Sequence, residues 1–169
     1  RKYIIRSYSE IAEMYFQREI DKDLVDDANY LNNYFNILNA DFSKPICLTE
    51  GQFDSLFVRN CIATSGVSKA QSILPSLGAK KALRILFDRD KAGKGEMMKL
   101  IKSGYSILLW NKIINDLKKM CEGTSELIKL TEIKDINDVV NFLKKKDPTL
   151  TRESFNDWLD KYFSEDVYD

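Results

Sequence analysis

Hydrophobic positions follow two regimes along this chain. Up to about residue 40 they recur at helical spacing, since Leu24, Ala28, Leu31, Phe35 and Leu38 alternate steps of four and three and fall on one stripe. A shorter helix is predicted before it, capped by Ser7 or Ser9 and carrying Ile11, Met14 and Tyr15. The polar side of the second helix is rich in asparagine (Asn29, Asn32, Asn33, Asn36, Asn39), which suits a helix packed over one side of a sheet domain. From Pro45 the regime changes to short apolar runs alternating with helical stretches, the mark of βαβ units and an α/β, mainly parallel sheet of about four strands. The runs predict strands at 46–49, 61–64, 83–87 and 105–110, and leave room for a short one at 127–130. Helices are predicted at 52–59, about 69–77, 94–103, 111–120 and from Asp135 to Lys146, where Pro148 stops the last. Thr151 then caps a terminal helix with Phe155, Trp158, Leu159, Tyr162 and Phe163 on one face, which either docks onto this domain or meets a partner.

Two of the apolar runs stop abruptly at acids. Ile46 to Thr49 leads into Glu50-Gly51-Gln52-Phe53-Asp54, and Leu83 to Phe87 leads into Asp88-Arg89-Asp90-Lys91-Ala92-Gly93-Lys94-Gly95. If these strands are neighbours their acids meet at the carboxyl edge of the sheet, where ligands of open parallel sheets bind. Clustered carboxylates there form a hard-oxygen site suited to Mg²⁺. Asp54 has an alternative role in neutralising a helix start. Asp88 and Asp90 are harder to place without a cation, because two carboxylates held close repel. The Ala-Gly-Lys-Gly stretch is not a P-loop, since Asp88 stands where that motif needs glycine and Gly95 replaces its Ser or Thr. Glycines opening a helix at 94 would leave N–H donors free for a phosphate, with Lys91 and Lys94 in the loop beside the acids. Thr64-Ser65-Gly66 is a further strand exit, read either as an ordinary turn or as a phosphate contact. Asp135 and Asp138 either cap a helix or add a second metal or nucleotide contact.

Composition narrows the chemistry. The 169 residues suffice for one domain with a full core, and the start at Arg1 suggests a piece of something longer. With no histidine, Ser-His-Asp and Cys-His catalysis and histidine-bound zinc are excluded, so acid–base work falls to carboxylates, Lys, Tyr or a metal-bound water. Three cysteines without a Cys-x-x-Cys pair argue against a disulfide framework or a zinc ribbon, and Cys47 and Cys61 read as core. Lys+Arg and Asp+Glu are both 26, so attraction for nucleic acid would have to come from local charge. No run reaches the roughly 20 apolar residues of a membrane span, and a soluble, cytoplasmic protein is expected.

In combination, Glu50-Gly51-x-x-Asp54, the Ser65-Gly66 exit and Asp88-Arg89-Asp90-Lys91-Ala92-Gly93 resemble the motifs of the TOPRIM domain shared by DNA primases, topoisomerases and some nucleases. The likeness covers about residues 44 to 146, and the alanine-glycine ending with the later Lys-Asp-x-Asn-Asp is similar to the bacterial and phage primase branch. With the helical patterns on either side of it, the chain divides into a helical segment over 1–42, a catalytic domain over 43–147 that the resemblance implies, and a C-terminal helix with an acidic tail over 148–169. The activity implied is metal-dependent synthesis of short RNA primers. Under that resemblance Glu50, Asp88 and Asp90 are catalytic, with Mg²⁺ or Mn²⁺ held by these three together with Asp135 and Asp138. Gly51, Asp54, Ser65, Gly66, Lys91, Gly93 and Lys94 would contact nucleotide. The implied partners are a single-stranded DNA template, ribonucleoside triphosphates and a replicative helicase, in the bacterial host's cytoplasm if the protein is phage-encoded. A TOPRIM nuclease or topoisomerase and a non-catalytic, helicase-docking fragment are the alternatives.

Overall fold

The computed structural model describes residues 34–64, 66, 70, 73–77, 80–121 and 130–166. Five strands form one sheet in the order β2-β1-β3-β4-β5: β1 (Ile46–Thr49), β2 (Cys61–Ala63), β3 (Leu83–Leu86), β4 (Ser106–Leu108) and β5 (Phe163–Ser164). The first four are parallel and β5 is antiparallel to β4, so the architecture is α/β with a mixed, mostly parallel sheet. β1, β2 and β4 are buried at every position, as their unbroken apolar runs require of strands covered on both faces. Among the described residues the sheet is flanked by α1 (Gln52–Phe57), α2 (Lys91–Lys102), α3 (Trp110–Met120), α4 (Ile136–Lys146) and α5 (Arg152–Leu159). Ile46, Leu48, Ile62, Leu83, Ile85, Phe87 and Ile113 lie at the centre of the core.

Strand order decides where a site can form. From β1 the chain passes to β2 on one side, then returns across to β3 on the other, so the topology switches between β1 and β3. Pairing of Ile46 with Leu83 through Thr49 with Leu86 ends the two strands level. Glu50 and the residues after Leu86 therefore leave the sheet side by side at its carboxyl edge.

Three expectations change. Residues 1–33 lie outside the described residues, but the described end of the predicted second helix is not α-helical: Phe35 forms an antiparallel bridge with Ala63, and a 3-10 turn covers Ile37–Asn39. Asn36 takes a left-handed conformation (φ 68°), which asparagine tolerates, and its amide donates to the Cys61 carbonyl at 2.9 Å. Leu38, assigned to the buried stripe, is 60% exposed. Second, α2 begins at Lys91 instead of 94, because Asp90 caps it by accepting the Gly93 N–H at 2.8 Å. Lys91, Gly93 and Lys94 are therefore helical and not in a loop, and the Gly93 N–H is already taken.

Third, the terminal helix stops at Leu159, and after a 3-10 turn (Asp160–Tyr162) Phe163 enters the sheet as β5. Its aromatic face docks onto this domain: Phe155, Leu159 and Tyr162 are buried in the core. Buried Asn156 clamps the helix to the turn after α1, accepting from the Arg59 N–H at 2.7 Å and donating to the Phe57 carbonyl at 2.9 Å. That surface is thus occupied from within the chain. The proposed short strand at 127–130 falls largely outside the described residues; of the predicted helix at 69–77, residues 69, 71 and 72 do so, and Leu74–Ser76 forms a 3-10 turn. No helix among the described residues is long and apolar enough to cross a membrane.

Candidate functional site

The β1/β3 switch point brings Glu50 and Asp88 together. The Asp88 N–H donates to Glu50 Oε1 at 3.3 Å, tying the exit of one strand to the exit of the other. Behind Asp88 the chain is fixed from below, since the buried indole of Trp110, first residue of α3, donates to the Phe87 carbonyl at 2.8 Å. In front, Gly93 packs so closely that a Cβ there would stand 2.1 Å from the Asp88 carbonyl oxygen. Glycine at this position is a requirement of close approach between helix α2 and the strand exit. Its predicted phosphate contact through a free N–H is replaced by the cap from Asp90.

α1 and α4 carry the remaining acids. Asp54, 6% exposed, accepts the Asn137 N–H at 2.9 Å, which links the first turn of α1 to the first turn of α4. Asp135 caps α4 through the Asp138 N–H at 2.7 Å, and Asp138 reaches back to the Lys134 N–H at 2.9 Å. Both late acids thus perform the capping role open to them, and Asp138 lines a cleft of about 420 Å³ with Glu132, Asn141, Phe142 and Lys145. Asp135 has a second role, because its charge bears on both Asp54 and Asp88.

Electrostatics show how tightly the acids are gathered. The Asp88 carboxyl is pushed up from 3.8 to about 7, by burial first and then by Glu50, Asp54, Asp135 and Asp90. Burial likewise raises Asp54 to about 6, with Asp135 adding to it and the Asn137 N–H opposing. Glu50 is raised by burial and by Asp90 and Asp54, against the pull of the Asp88 N–H. Such a concentration of negative charge is the setting in which a hard cation lowers the energy. As the side chains stand, no three of the described Asp, Glu or Cys residues form a group able to hold a metal ion. Asp54, Asp90 and Asp135 each commit one carboxylate oxygen to a backbone N–H, and Glu50 does the same at longer range. Carboxylate oxygen is the donor type that Mg²⁺ and Mn²⁺ take.

The other expected contacts are dispersed. Gly51 caps α1, where a side chain would crowd Asp54 Oδ2 at 2.5 Å. Gly66 adopts φ 126°, a conformation natural to glycine, with open space around it. Ser65 lies outside the described residues. Lys91 and Lys94 are exposed on the first turn of α2, and among the described residues neither forms an ion pair with the acids. Lys94 instead borders a groove of about 320 Å³ between α2 and α3, with Met97, Met98 and Trp110.

One residue of the cluster's frame carries no signal in the sequence pattern. Arg89, between the two aspartates, donates its backbone N–H to the Lys134 carbonyl at 2.6 Å and its Nη1 to the carbonyls of Leu130 and Ile133 at 3.2 and 3.0 Å. Compared with known proteins, the chain matches no family model, and no curated protein sequence matches it.

Proposed function

We propose that this chain is the catalytic domain of a DNA primase of the TOPRIM type, making short RNA primers on single-stranded DNA from ribonucleoside triphosphates with Mg²⁺ or Mn²⁺. The observation that carries the reading is the meeting of Glu50 and Asp88 at the β1/β3 switch point, where burial first and then the neighbouring acids push the Asp88 carboxyl up to about 7. The motif resemblance supplies the reaction class, and the carboxyl edge of a parallel sheet is where ligands of such sheets bind.

Each residue then has work that its surroundings dictate. Glu50, whose proton affinity burial raises, would accept the proton of an attacking hydroxyl. Asp88 and Asp90 would hold the cation, with Asp54 and Asp135 adding negative potential from α1 and α4. When bound, that cation would supply neutralisation of the phosphate charge as a 3′-hydroxyl attacks the α-phosphate of the triphosphate and pyrophosphate leaves. Lys91 and Lys94, at the exposed start of α2, are placed to meet a triphosphate that spans the helix end. Among the described residues, tyrosine chemistry of the topoisomerase kind receives less support: Tyr34, Tyr105 and Tyr162 are buried, and Tyr162 donates to Asp116 at 2.8 Å.

Mn²⁺ titration of the whole chain, followed by primer synthesis with labelled ribonucleotides on single-stranded DNA, tests the reading. Saturable Mn²⁺ binding lost in Asp88→Asn, with Mg²⁺-dependent oligoribonucleotide products, is expected. Mn²⁺-dependent cleavage of supercoiled or linear DNA with no primer product would move the assignment to a TOPRIM nuclease. Absence of Mn²⁺ binding would end it.

A further inference from the structure

We propose that Arg89 is a positioning residue of the acidic cluster: its three hydrogen bonds fasten segment 130–134 to the Asp88–Asp90 turn and thereby set how close Asp135 stands to Asp88. The proposal rests on the reading of the cluster as a cation site.

Segment 130–134 delivers Asp135 to the site, yet it belongs to no strand, so its carbonyls lack ladder partners. Arg89 provides them. Its guanidinium presents several donors in a rigid plane, which allows one nitrogen to serve the converging carbonyls of Leu130 and Ile133. Its backbone N–H, bonded to the Lys134 carbonyl at 2.6 Å, fixes the same segment one residue before Asp135. The turn therefore carries two functions on alternate residues, with acids on 88 and 90 and a clamp on 89. From the clamped end the chain continues directly into the Asp135 cap, where the Lys134 N–H bonds Asp138 and the Asp138 N–H bonds Asp135. Asp135 is thus held between a fixed point at Lys134 and a fixed helix start. Its charge bears on both Asp88 and Asp54, so movement of the segment would open the cluster on that side. Arg89 does this by geometry: the influences on the Asp88 carboxyl are burial and the four neighbouring acids.

The test is Mn²⁺ affinity in a double-mutant cycle of the full chain. Arg89→Met should weaken Mn²⁺ binding by about 10-fold or more, in the range seen when residues that orient metal ligands are removed. In an Asp135→Asn background the same substitution should change affinity little further, because its effect passes through Asp135. Arg89→Lys keeps the charge without the fork and should lose affinity as Arg89→Met does; it also carries the cycle if Arg89→Met fails to fold. Full affinity in Arg89→Lys, or losses that multiply independently in the double variants, would overturn the proposal. Amide hydrogen exchange on the metal-free chain keeps the two readings apart. Faster exchange at Lys134 and Asp138 in the Arg89 variants is expected, and unchanged exchange there refutes the positioning role. If that exchange responds but the wild-type chain binds no Mn²⁺, the positioning stands and the cation-site reading falls.

Discussion

Neutralising Asp88 should stabilise this protein above neutral pH and do nothing in acid. In the folded chain burial and four acidic neighbours move the Asp88 carboxyl from 3.8 to about 7. A carboxyl whose folded pKa lies above its unfolded value costs nothing below about 3.8, where both states hold the proton. The cost grows as pH rises toward 7 and is constant beyond, because the folded state must then carry a charge that the unfolded state carries freely. At full strength a displacement from 3.8 to about 7 corresponds to roughly 4 kcal/mol. Asp88 is only half-buried, so screening by water reduces the expected figure to about 1–2 kcal/mol. Asp88→Asn keeps the shape and removes the charge. Urea unfolding should therefore find the variant more stable by that amount at pH 8 and equal to wild type at pH 4. Asp90→Ala is the control with the opposite sign, since Asp90 caps α2 and its loss should cost about 1 kcal/mol. Mg²⁺ at saturation should stabilise the wild type at pH 8 and leave Asp88→Asn unmoved. An Asp88→Asn variant that is less stable than wild type at pH 8, or equally stabilised at both pH values, would refute the claim that burial and the neighbouring acids disfavour the charged Asp88 carboxyl.

Two further substitutions probe the frame around Asp88. Gly93→Ala places a Cβ 2.1 Å from the Asp88 carbonyl oxygen, so it should cost about 1–3 kcal/mol in urea unfolding and weaken Mn²⁺ binding together with it. A Gly93→Ala variant with wild-type stability would show that the contact is not tight. Trp110→Phe removes the indole N–H from the Phe87 carbonyl while filling most of the same space, with an expected loss of about 1–3 kcal/mol. Equal stability of Trp110→Phe and wild type would remove the indole from the account of how the β3 exit is held.

Local pattern carries the sheet because its strands are short, apolar and bounded. Ile46–Thr49 is found where its run begins and ends, and β3 stops one residue before the run does. Pattern fails where a long-range partner outweighs periodicity. Phe35 and Leu38 continue a helical stripe, yet the Phe35 backbone pairs with Ala63 and the turn at Asn36 reverses which neighbours are buried, so that Tyr34 and Ile37 face the core. Phe163 likewise continues the apolar face of α5, but pairing with Leu108 draws it into the sheet. The start of α2 escapes pattern for a different reason: Ala-Gly-Lys-Gly has weak helix propensity, and only the Asp90 side chain on the Gly93 N–H marks the boundary. Asp90 is already prominent as an acid, which masks its capping role.

The acids themselves are legible in the sequence, and their meeting is legible only conditionally. Two apolar runs that end in carboxylates say where charge leaves the sheet, but nothing local says that the runs are neighbours or level. Adjacency comes from the order β2-β1-β3-β4-β5, and the level ends come from the pairing of Thr49 with Leu86. A slip of one residue in that pairing would exchange the two faces of β3 and carry Asp88 away from Glu50. The fully buried side chains of Leu83 and Ile85 hold the register, since the slip would exchange them with Arg84, which is paired with Asp160. Arg89 is invisible to pattern altogether, because its side-chain partners are main-chain carbonyls 41 and 44 residues further on, at positions whose side-chain identity is irrelevant to the contact. The most informative residues of the site are therefore read at two ranges: the carboxylates from the strand that precedes them, and the clamp between them only from the folded chain.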